Sequence, residues 1–431
     1  MKILDFQYPL LFFLSLYFFT AFLPIQFWIG SEADSVIPLG QLTLLMLVTI
    51  FSPIAKNFSL NQSHYLDFKI ISIFLFFIVL NSSFQSIFVE STLKIERVMS
   101  VLGTLIPILV FVIILSIDIT DKYIEKIFRY FFYGCFIYSV YYLEYYLSHL
   151  MENLSRGDMD SRVVGQRDSI YLNFAILFAI FRFGLFKNKI TNYFQNIVAV
   201  LAILFCAVIM ILSHTRMGYV LLIIDLLLIS LINPKYFFLL LILIILASGI
   251  FYLYDSELLI LKINYSIERL LTIIEFFIIE DSTGAGADIR LSIWEVIWKD
   301  VSSSPFSLLF GNGELGVHSL GETYVEVDRI RGYAIFPVDT PESQYFDTLF
   351  RSGLIGVIFI LLILFRIIYI SFKLLTYDSK FSYIYKPIII GFTGVAVTFI
   401  FLPLLRDRNF ALFFFALYAI LSSRLHNVIL K

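Results

Sequence analysis

Charged residues are scarce in this chain, and their scarcity argues against a soluble protein. Asp, Glu, Lys and Arg make up 15% of its 431 residues, against about 25% in ordinary soluble domains. Apolar residues make up 60%, and the mean hydropathy is +0.90. A soluble core cannot hide that much apolar surface, so the sequence predicts an integral membrane protein surrounded by the lipid bilayer.

Cysteine is nearly absent as well: only Cys135 and Cys206 occur, which argues against a disulfide framework. The five histidines are scattered, and no group of His and carboxylate residues has the spacing of a metal site. The sequence has neither a Walker A loop nor a dinucleotide fingerprint, and its net charge of −2 argues against nucleic acid as a partner. We therefore expect no metal, no cofactor and no nucleic acid.

Long apolar runs, by contrast, are abundant. Because a spanning helix needs about 20 predominantly apolar residues, we predict an all-α integral membrane fold with about twelve transmembrane helices. The first run shows no cleavage site and is interpreted as an uncleaved helix. Residues 1–254 hold the first to ninth helices, 255–350 form one large external loop with short helices, and 351–431 hold the tenth to twelfth. The predicted spans lie near residues 9–29, 37–55, 70–89, 98–117, 130–149, 169–186, 195–213, 218–232, 236–254, 353–371, 387–405 and 410–424.

Basic residues sort by side of the membrane. Lys is concentrated in one set of loops, as at Lys56, Lys122 and Lys235, and an excess of basic residues marks cytoplasmic loops. This pattern predicts that both termini are cytoplasmic and that the long loop lies outside. The outer loops carry mostly Arg, whose planar fork binds phosphate or carboxylate oxygens bidentately. An anionic ligand on the outer side is one interpretation, and pairing with Asp and Glu of the same loops is the other.

Two outer segments hold candidate functional residues. Arg216 stands in Thr215-Arg216-Met217-Gly218 at the outer end of the seventh span, where an ionisable residue is costly and often functional. Snorkelling of its side chain to lipid headgroups is the alternative. In the long loop, Arg290 and Trp294 are four residues apart and share one helix face, and Gly311-Asn312-Gly313 predicts a break after that helix.

Together these motifs resemble the O-antigen ligase/polymerase superfamily over about residues 155–360. Two further segments carry the resemblance. The loop ends in Glu342-Ser343, followed by Gly353-Leu354-Ile355-Gly356, and Ser161-Arg162-Val163-Val164-Gly165 precedes the sixth span, which contains Asn173.

The resemblance implies a glycosyltransferase of the bacterial cytoplasmic (inner) membrane that acts on oligosaccharides linked to undecaprenyl pyrophosphate. It implies no nucleotide sugar and no obligatory metal, and it leaves room for a chain-length regulator as a partner protein. Ligases of this superfamily typically show a His before the Gly-x-x-Gly pattern. Here that position holds Glu342, which favours a polymerase over a ligase. A non-enzymatic flippase or transporter of the same lipid-linked sugars is the alternative from another class.

Glu342 is the candidate catalytic residue, because glycosyl transfer needs a base that takes the proton of the acceptor hydroxyl. Arg216, Arg290 and Arg162 are the candidate substrate-binding residues, because cations stabilise a departing pyrophosphate. A structural alternative for Glu342 is that its carboxylate caps the helix that becomes the tenth span.

Overall fold

The computed structural model describes most of the long apolar segments and part of the external loop. The described residues are 12, 14–19, 26–28, 36–38, 65–88, 94–115, 119–155, 168–182, 193–212, 216–232, parts of 234–245, 287–313, 324–329, 332–337, 343–400, 402–406 and 408–429.

Helices form most of the described structure. In chain order they are α1 (Tyr65–Phe88), α2 (Lys94–Leu115), α3 (Asp121–Ser155), α4 (Asp168–Arg182), α5 (Tyr193–Leu212), α6 (Arg216–Ile232), α7 (Ala287–Val301), α8 (Pro305–Phe310), α9 (Gln344–Tyr377), α10 (Ser382–Thr398) and α11 (Arg408–Ile429). Single 3₁₀ turns at Ser379–Phe381 and Leu404–Arg406 lie between the last helices.

Two antiparallel strand pairs accompany the helices. Strand β1 (Gln26–Trp28) pairs with β2 (Val36–Pro38), with Phe27 opposite Ile37. In the predicted external loop, β3 (Tyr324–Arg329) pairs with β4 (Gly332–Pro337), with Arg329 opposite Gly332. Neither pair was predicted from the sequence, and β1 corrects the predicted first span, which extended as a helix to residue 29.

Backbone contacts divide the chain into two units that alternate along the sequence. The first comprises residues 1–53, 119–274 and 371–395, and the second comprises residues 54–118, 275–370 and 396–431. Helices α3 to α6 belong to the first unit, and α1, α2, α7, α8 and α11 belong to the second. Each unit therefore combines chain segments that are distant in sequence.

The first unit is built around α4. From Ile170 to Phe181 every residue of this helix is buried, as expected for a helix that is apolar on all sides. It packs against α3, α5 and α6. Its Phe178 ring stacks on Phe128 of α3 with centroids 5.3 Å apart, and meets Phe131 edge-on at the same distance.

The second unit has an equivalent central helix in α11. Residues 410–424 are all buried, and the helix packs against α2, where the Phe111 and Tyr418 rings lie 4.9 Å apart. Because α11 is apolar nearly all round, its few polar side chains must find partners inside the unit.

Asp67 of α1 supplies the main buried polar contact of this unit. Its carboxylate is 3% exposed and accepts from Arg366 of α9, with N···O distances of 2.8 Å and 2.7 Å. Tyr418 donates to the same carboxylate at 2.8 Å, and Ser422 also donates to it. One carboxylate thus ties three helices together with its hydrogen-bonding capacity largely filled.

The membrane prediction is confirmed in its main feature. Among the described residues, Gln344–Tyr377, Ser379–Thr398 and Phe410–Ile429 are long and apolar enough to cross a bilayer. They correspond to the tenth, eleventh and twelfth predicted spans; the first two begin earlier than predicted, and the third begins at residue 410 as predicted. The total of twelve spans and the orientation of the termini stay predictions, as does the division at residues 254 and 350.

We predict that Asp67→Asn destabilises the protein by about 3–5 kcal/mol, because the Arg366 guanidinium, whose side chain is only 14% exposed, loses its counterion. Glu125→Gln is the control: the exposed Glu125–Arg129 pair of α3 is worth about 0.3–0.5 kcal/mol. Thermal unfolding of the detergent-solubilised protein measures both. Equal melting temperatures for the two variants would contradict a stabilising role for the buried network.

Candidate functional site

Helix α9 is interrupted at Gly353. This residue has φ 64° and ψ −166° in an otherwise helical segment of 34 residues. That region of backbone space is essentially restricted to glycine, since a Cβ would clash with the residue's own backbone. The break separates a short amphipathic segment, residues 344–352, from a long apolar one, residues 354–377.

The loop Gly311-Asn312-Gly313, which follows α8, fills the break. The Asn312 N–H donates to the Phe350 carbonyl at 2.6 Å, and the Gly313 N–H donates to the Arg351 carbonyl at 3.0 Å. These carbonyls would otherwise lack helical partners. Gly311 and Gly313 both have positive φ, of 73° and 83°. The glycines of the two sequence motifs therefore meet in one backbone junction.

The junction is too close for side chains. A Cβ on Gly311 would lie 2.5 Å from the Arg351 carbonyl carbon, and a Cβ on Gly353 would lie 2.2 Å from the Leu309 carbonyl oxygen. Both obstacles are backbone atoms that cannot rotate away. Glycine is thus required at these positions by conformation and by space.

Asn81 of α1 joins both sides of the junction. Its side-chain amide donates to the Phe310 carbonyl at 2.8 Å and to the Arg351 carbonyl at 3.3 Å. The side chain is buried, and the two acceptors belong to α8 and α9. One amide group with two N–H bonds suits this bridging role, because a carboxylate of the same shape has no proton to donate when ionised.

Ser343 forms the N-cap of α9. Its Oγ accepts from the Phe346 N–H at 3.4 Å and donates to the Phe399 carbonyl at 3.2 Å, and the side chain is 1% exposed. Acceptance from the third helical N–H is the usual geometry of a Ser cap. The cap of this helix is therefore Ser343.

Gln344 fixes the same end of α9 against the segment that follows α10. Its backbone N–H donates to the Phe399 carbonyl at 2.7 Å, and its Oε1 accepts from the Leu405 N–H at 2.7 Å. Its Nε2 also donates to Thr348 at 3.1 Å. The first turn of α9 is thus held by backbone and side-chain bonds at a buried position.

Helix α7 is attached to this turn by an aromatic contact. The rings of Trp294 and Phe346 stack with centroids 5.0 Å apart and planes 8° from parallel. Beneath them lies an apolar cluster from α7 and α9, formed by Ile293, Ile297, Val301, Leu349 and Phe350. Arg290, one turn before Trp294, is partly buried on the same helix. The Arg290-x-x-x-Trp294 motif is therefore anchored to the start of α9.

Charged groups on α7 and α9 form two different ion pairs. Asp347 and Arg351 pair at 3.0 Å in a partly buried position one turn apart. On the exposed side of α7, Lys299 contacts Glu295 at 2.7 Å. A hydrogen bond from the Lys299 ammonium, together with its charge, lowers the pKa of the Glu295 carboxyl, which stays ionised at neutral pH.

The predicted site residues are described to different extents. Arg290 lies on α7 as the sequence indicates, and Arg216 is the first residue of α6 in the first unit, with a side chain outside the described residues. Arg162 and Glu342 lie outside the described residues, although Glu342 directly precedes the anchored Ser343 in sequence. Their roles stay predictions.

Residues 199–361 match the model of a family described as O-antigen ligase. This match supports the O-antigen ligase/polymerase superfamily. The match begins within α5, ends within α9 and includes Arg216, the α7–α8 segment and the glycine junction. The superfamily resemblance predicted from the sequence is confirmed. No curated protein matches the chain at a significant level.

Sequence reasoning missed Asn81 and the partners of Gln344. Asn81 is more than two hundred residues from the carbonyls that it binds, at separations of 229 and 270 positions. A single Asn in an apolar helix was the one available signal, because a buried amide needs partners. Nothing in the sequence indicates which ones.

We predict that Gly353→Ala disrupts the junction, since the alanine Cβ meets the Leu309 carbonyl and the backbone adopts a conformation that costs about 1–3 kcal/mol. Gly394→Ala in α10 is the matched control, because its backbone is helical and the atoms nearest to its Cβ would belong to side chains, Leu221 Cδ2 at 2.8 Å and Asn173 Nδ2 at 3.8 Å. Melting temperature and yield of folded protein should fall for the first variant and change little for the second. A wild-type melting temperature for Gly353→Ala would contradict the proposed requirement for glycine.

Proposed function

We propose that this protein is a polysaccharide polymerase that joins oligosaccharide repeat units carried on undecaprenyl pyrophosphate at the outer face of the cytoplasmic membrane. The superfamily match and the apolar helices support the general class. The observation that carries the proposal is the anchored start of α9, where Ser343 and Gln344 are fixed by Phe399 and Leu405. The adjoining Glu342 occupies the position where ligases of the superfamily have a His.

The proposed reaction is a glycosyl transfer between two lipid-linked chains. A hydroxyl of the acceptor sugar attacks the anomeric carbon of the donor. The new C–O bond forms as the bond between that carbon and the pyrophosphate oxygen breaks. Undecaprenyl pyrophosphate leaves with the bonding electron pair, and a base receives the hydroxyl proton. The protein must therefore supply one proton acceptor and a cationic site for the leaving group.

Glu342 is the proposed proton acceptor. The competing structural role, capping of α9, is filled by Ser343, whose Oγ accepts from Phe346. A rigid element beside a reacting group keeps that group in reach of its substrate, and misplacement by 1 Å is costly. The backbone hydrogen bond from the Gln344 N–H to the Phe399 carbonyl supplies such rigidity two residues after Glu342 in the sequence.

Arg290 is the proposed cation for the pyrophosphate in the second unit. The Trp294–Phe346 stack attaches α7, which carries Arg290, to the start of α9. Arg290 is therefore held by the same rigid assembly as Ser343 and Gln344. Guanidinium suits a pyrophosphate because two N–H groups donate in parallel to two oxygens. Arg216 and Arg162 are proposed as further substrate-binding residues on sequence grounds alone.

A ligase is the second candidate, favoured by the description of the matched family. A ligase and a polymerase share the lipid-linked donor and differ in the acceptor. Glu342 in place of the ligase His favours the polymerase. The flippase alternative gains no support from any described feature.

We expect Glu342→Gln to abolish polymer formation while the protein remains folded in the membrane, because the neutral isostere keeps the shape and removes the basicity. Single repeat units should then accumulate on the lipid carrier. The control is Glu295→Gln on the exposed side of α7, which should leave polymer unchanged. Polymer ladders are compared on gels at matched membrane protein levels, with lipid-linked intermediates measured by mass spectrometry. Wild-type ladders from Glu342→Gln would remove this residue from the mechanism.

Arg290→Lys and Arg216→Lys test the pyrophosphate site. Lysine keeps the charge and loses the bidentate fork, so each variant should lose most polymer. Arg129→Lys, at the exposed pair with Glu125, is the matched control. The readout is again ladder length at equal protein level. Normal chain lengths in both test variants would refute bidentate binding by these residues.

A further inference from the structure

Two buried polar side chains of the first unit lie next to each other, and among the described residues each has an oxygen atom without a hydrogen-bond partner. Asn173 of α4 is 1% exposed and Asp225 of α6 is fully buried. The Asn173 Nδ2 lies 3.5 Å from Asp225 Oδ1. Within the described residues, Asn173 Oδ1 and Asp225 Oδ2 are buried and have no hydrogen-bond partner. Each side chain therefore has one oxygen whose partner is missing.

The surroundings are apolar. Helix α6 reads RMGYVLLIIDLLLISLI, in which Asp225 is the only carboxylate. Gly394 of α10 approaches on one side, and a Cβ there would lie 3.8 Å from Asn173 Nδ2 and 2.8 Å from Leu221. In the described part of the chain no Lys or Arg pairs with Asp225. A buried carboxylate without a cation is strongly disfavoured and becomes neutral by binding a proton.

A neutral carboxylic acid and a carboxamide have complementary hydrogen-bonding groups. The amide donates an N–H to the acid C=O, and the acid donates its O–H to the amide C=O. The first of these bonds corresponds to the observed contact between Asn173 Nδ2 and Asp225 Oδ1. The second would join the two oxygens that lack partners. One proton on Asp225 Oδ2 thus satisfies both side chains at once.

We propose that Asp225 is a proton-binding site, held as a neutral acid by Asn173 in a ring of two hydrogen bonds. The pair links α4 to α6, two helices that pack directly against each other. It also gives a role to Asn173, which lies in the segment that resembles the superfamily. Because α6 begins at Arg216, the pair also helps to hold the helix that carries this candidate substrate-binding residue. The importance of holding Arg216 rests on the proposed function, whereas the proton site does not.

Infrared spectroscopy of the purified protein in lipid tests the proton directly. A protonated carboxyl in an apolar site gives a C=O stretching band separate from those of ionised carboxylates and amides. We expect this band in the wild-type protein at neutral pH and its loss in Asp225→Asn. Glu125→Gln, at an exposed carboxylate of the same unit, should retain the band. A wild-type spectrum without a band assignable to Asp225 would overturn the proposal.

Thermal unfolding tests the pairing without reference to activity. Asp225→Asn should melt like the wild type, because the new amide N–H donates to Asn173 Oδ1 in place of the acid O–H. Asn173→Leu should melt at a lower temperature, because it leaves the buried acid without a partner. A marked loss of stability in Asp225→Asn would show that the negative charge is needed and would overturn the proposal.

A monovalent cation bound between the two oxygens is the alternative to a proton, and melting temperatures in different salts distinguish the two. Such a site would make the melting temperature rise with added Na⁺ or K⁺ relative to choline, and Asp225→Asn would abolish the rise. A neutral acid–amide pair predicts no such dependence. These readouts need no polymer, so they remain decisive even if the protein proves not to be a polymerase.

Discussion

The interruption of α9 at Gly353 imposes the constraint on which the second unit depends. A helix that breaks near lipid exposes carbonyls that no water in the bilayer core can satisfy. Here the loop at Gly311–Gly313 and the amide of Asn81 supply the missing donors. The donors come from two other parts of the chain, so α1 and α8 must be in place before the break is tolerable. The same bonds fix the segment that begins at Ser343, which the proposed mechanism requires to be rigid.

The buried carboxylates of the two units have different hydrogen-bond partners. In the second unit the Asp67 carboxylate is filled by Arg366, Tyr418 and Ser422, so its charge is balanced and its position is structural. Among the described residues of the first unit, Asp225 has one amide neighbour and an oxygen without a hydrogen-bond partner. Burial is equally deep in both cases. The presence or absence of a cation explains why one carboxylate is suited to an ion-pair network and the other to holding a proton.

Contacts at the start of α9 bear most directly on the roles of the candidate site residues. Ser343 takes the capping role that was the structural alternative for Glu342. The stack of Trp294 on Phe346 explains why the Arg290-x-x-x-Trp294 motif belongs with the start of α9, even though the β3–β4 pair separates them in sequence. Both contacts belong to the scaffold that surrounds the proposed reaction site, and the proposed base, Glu342, precedes this scaffold directly in the sequence.

Local properties of the chain could be predicted from the sequence because they depend on neighbours. Apolar runs predicted the positions of α2, α5 and α6 within a few residues, and the glycines at 311 and 313 indicated a break. Tertiary structure alone decided which groups meet: Asn81 with Arg351, Asp67 with Arg366, and Asn173 with Asp225. Each of these residues is a polar side chain in a largely apolar helix, so the sequence shows that it needs a partner. The partner is decided by helix packing between distant segments, because hydrophobic periodicity specifies that a face is buried and carries no information about the helix that buries it.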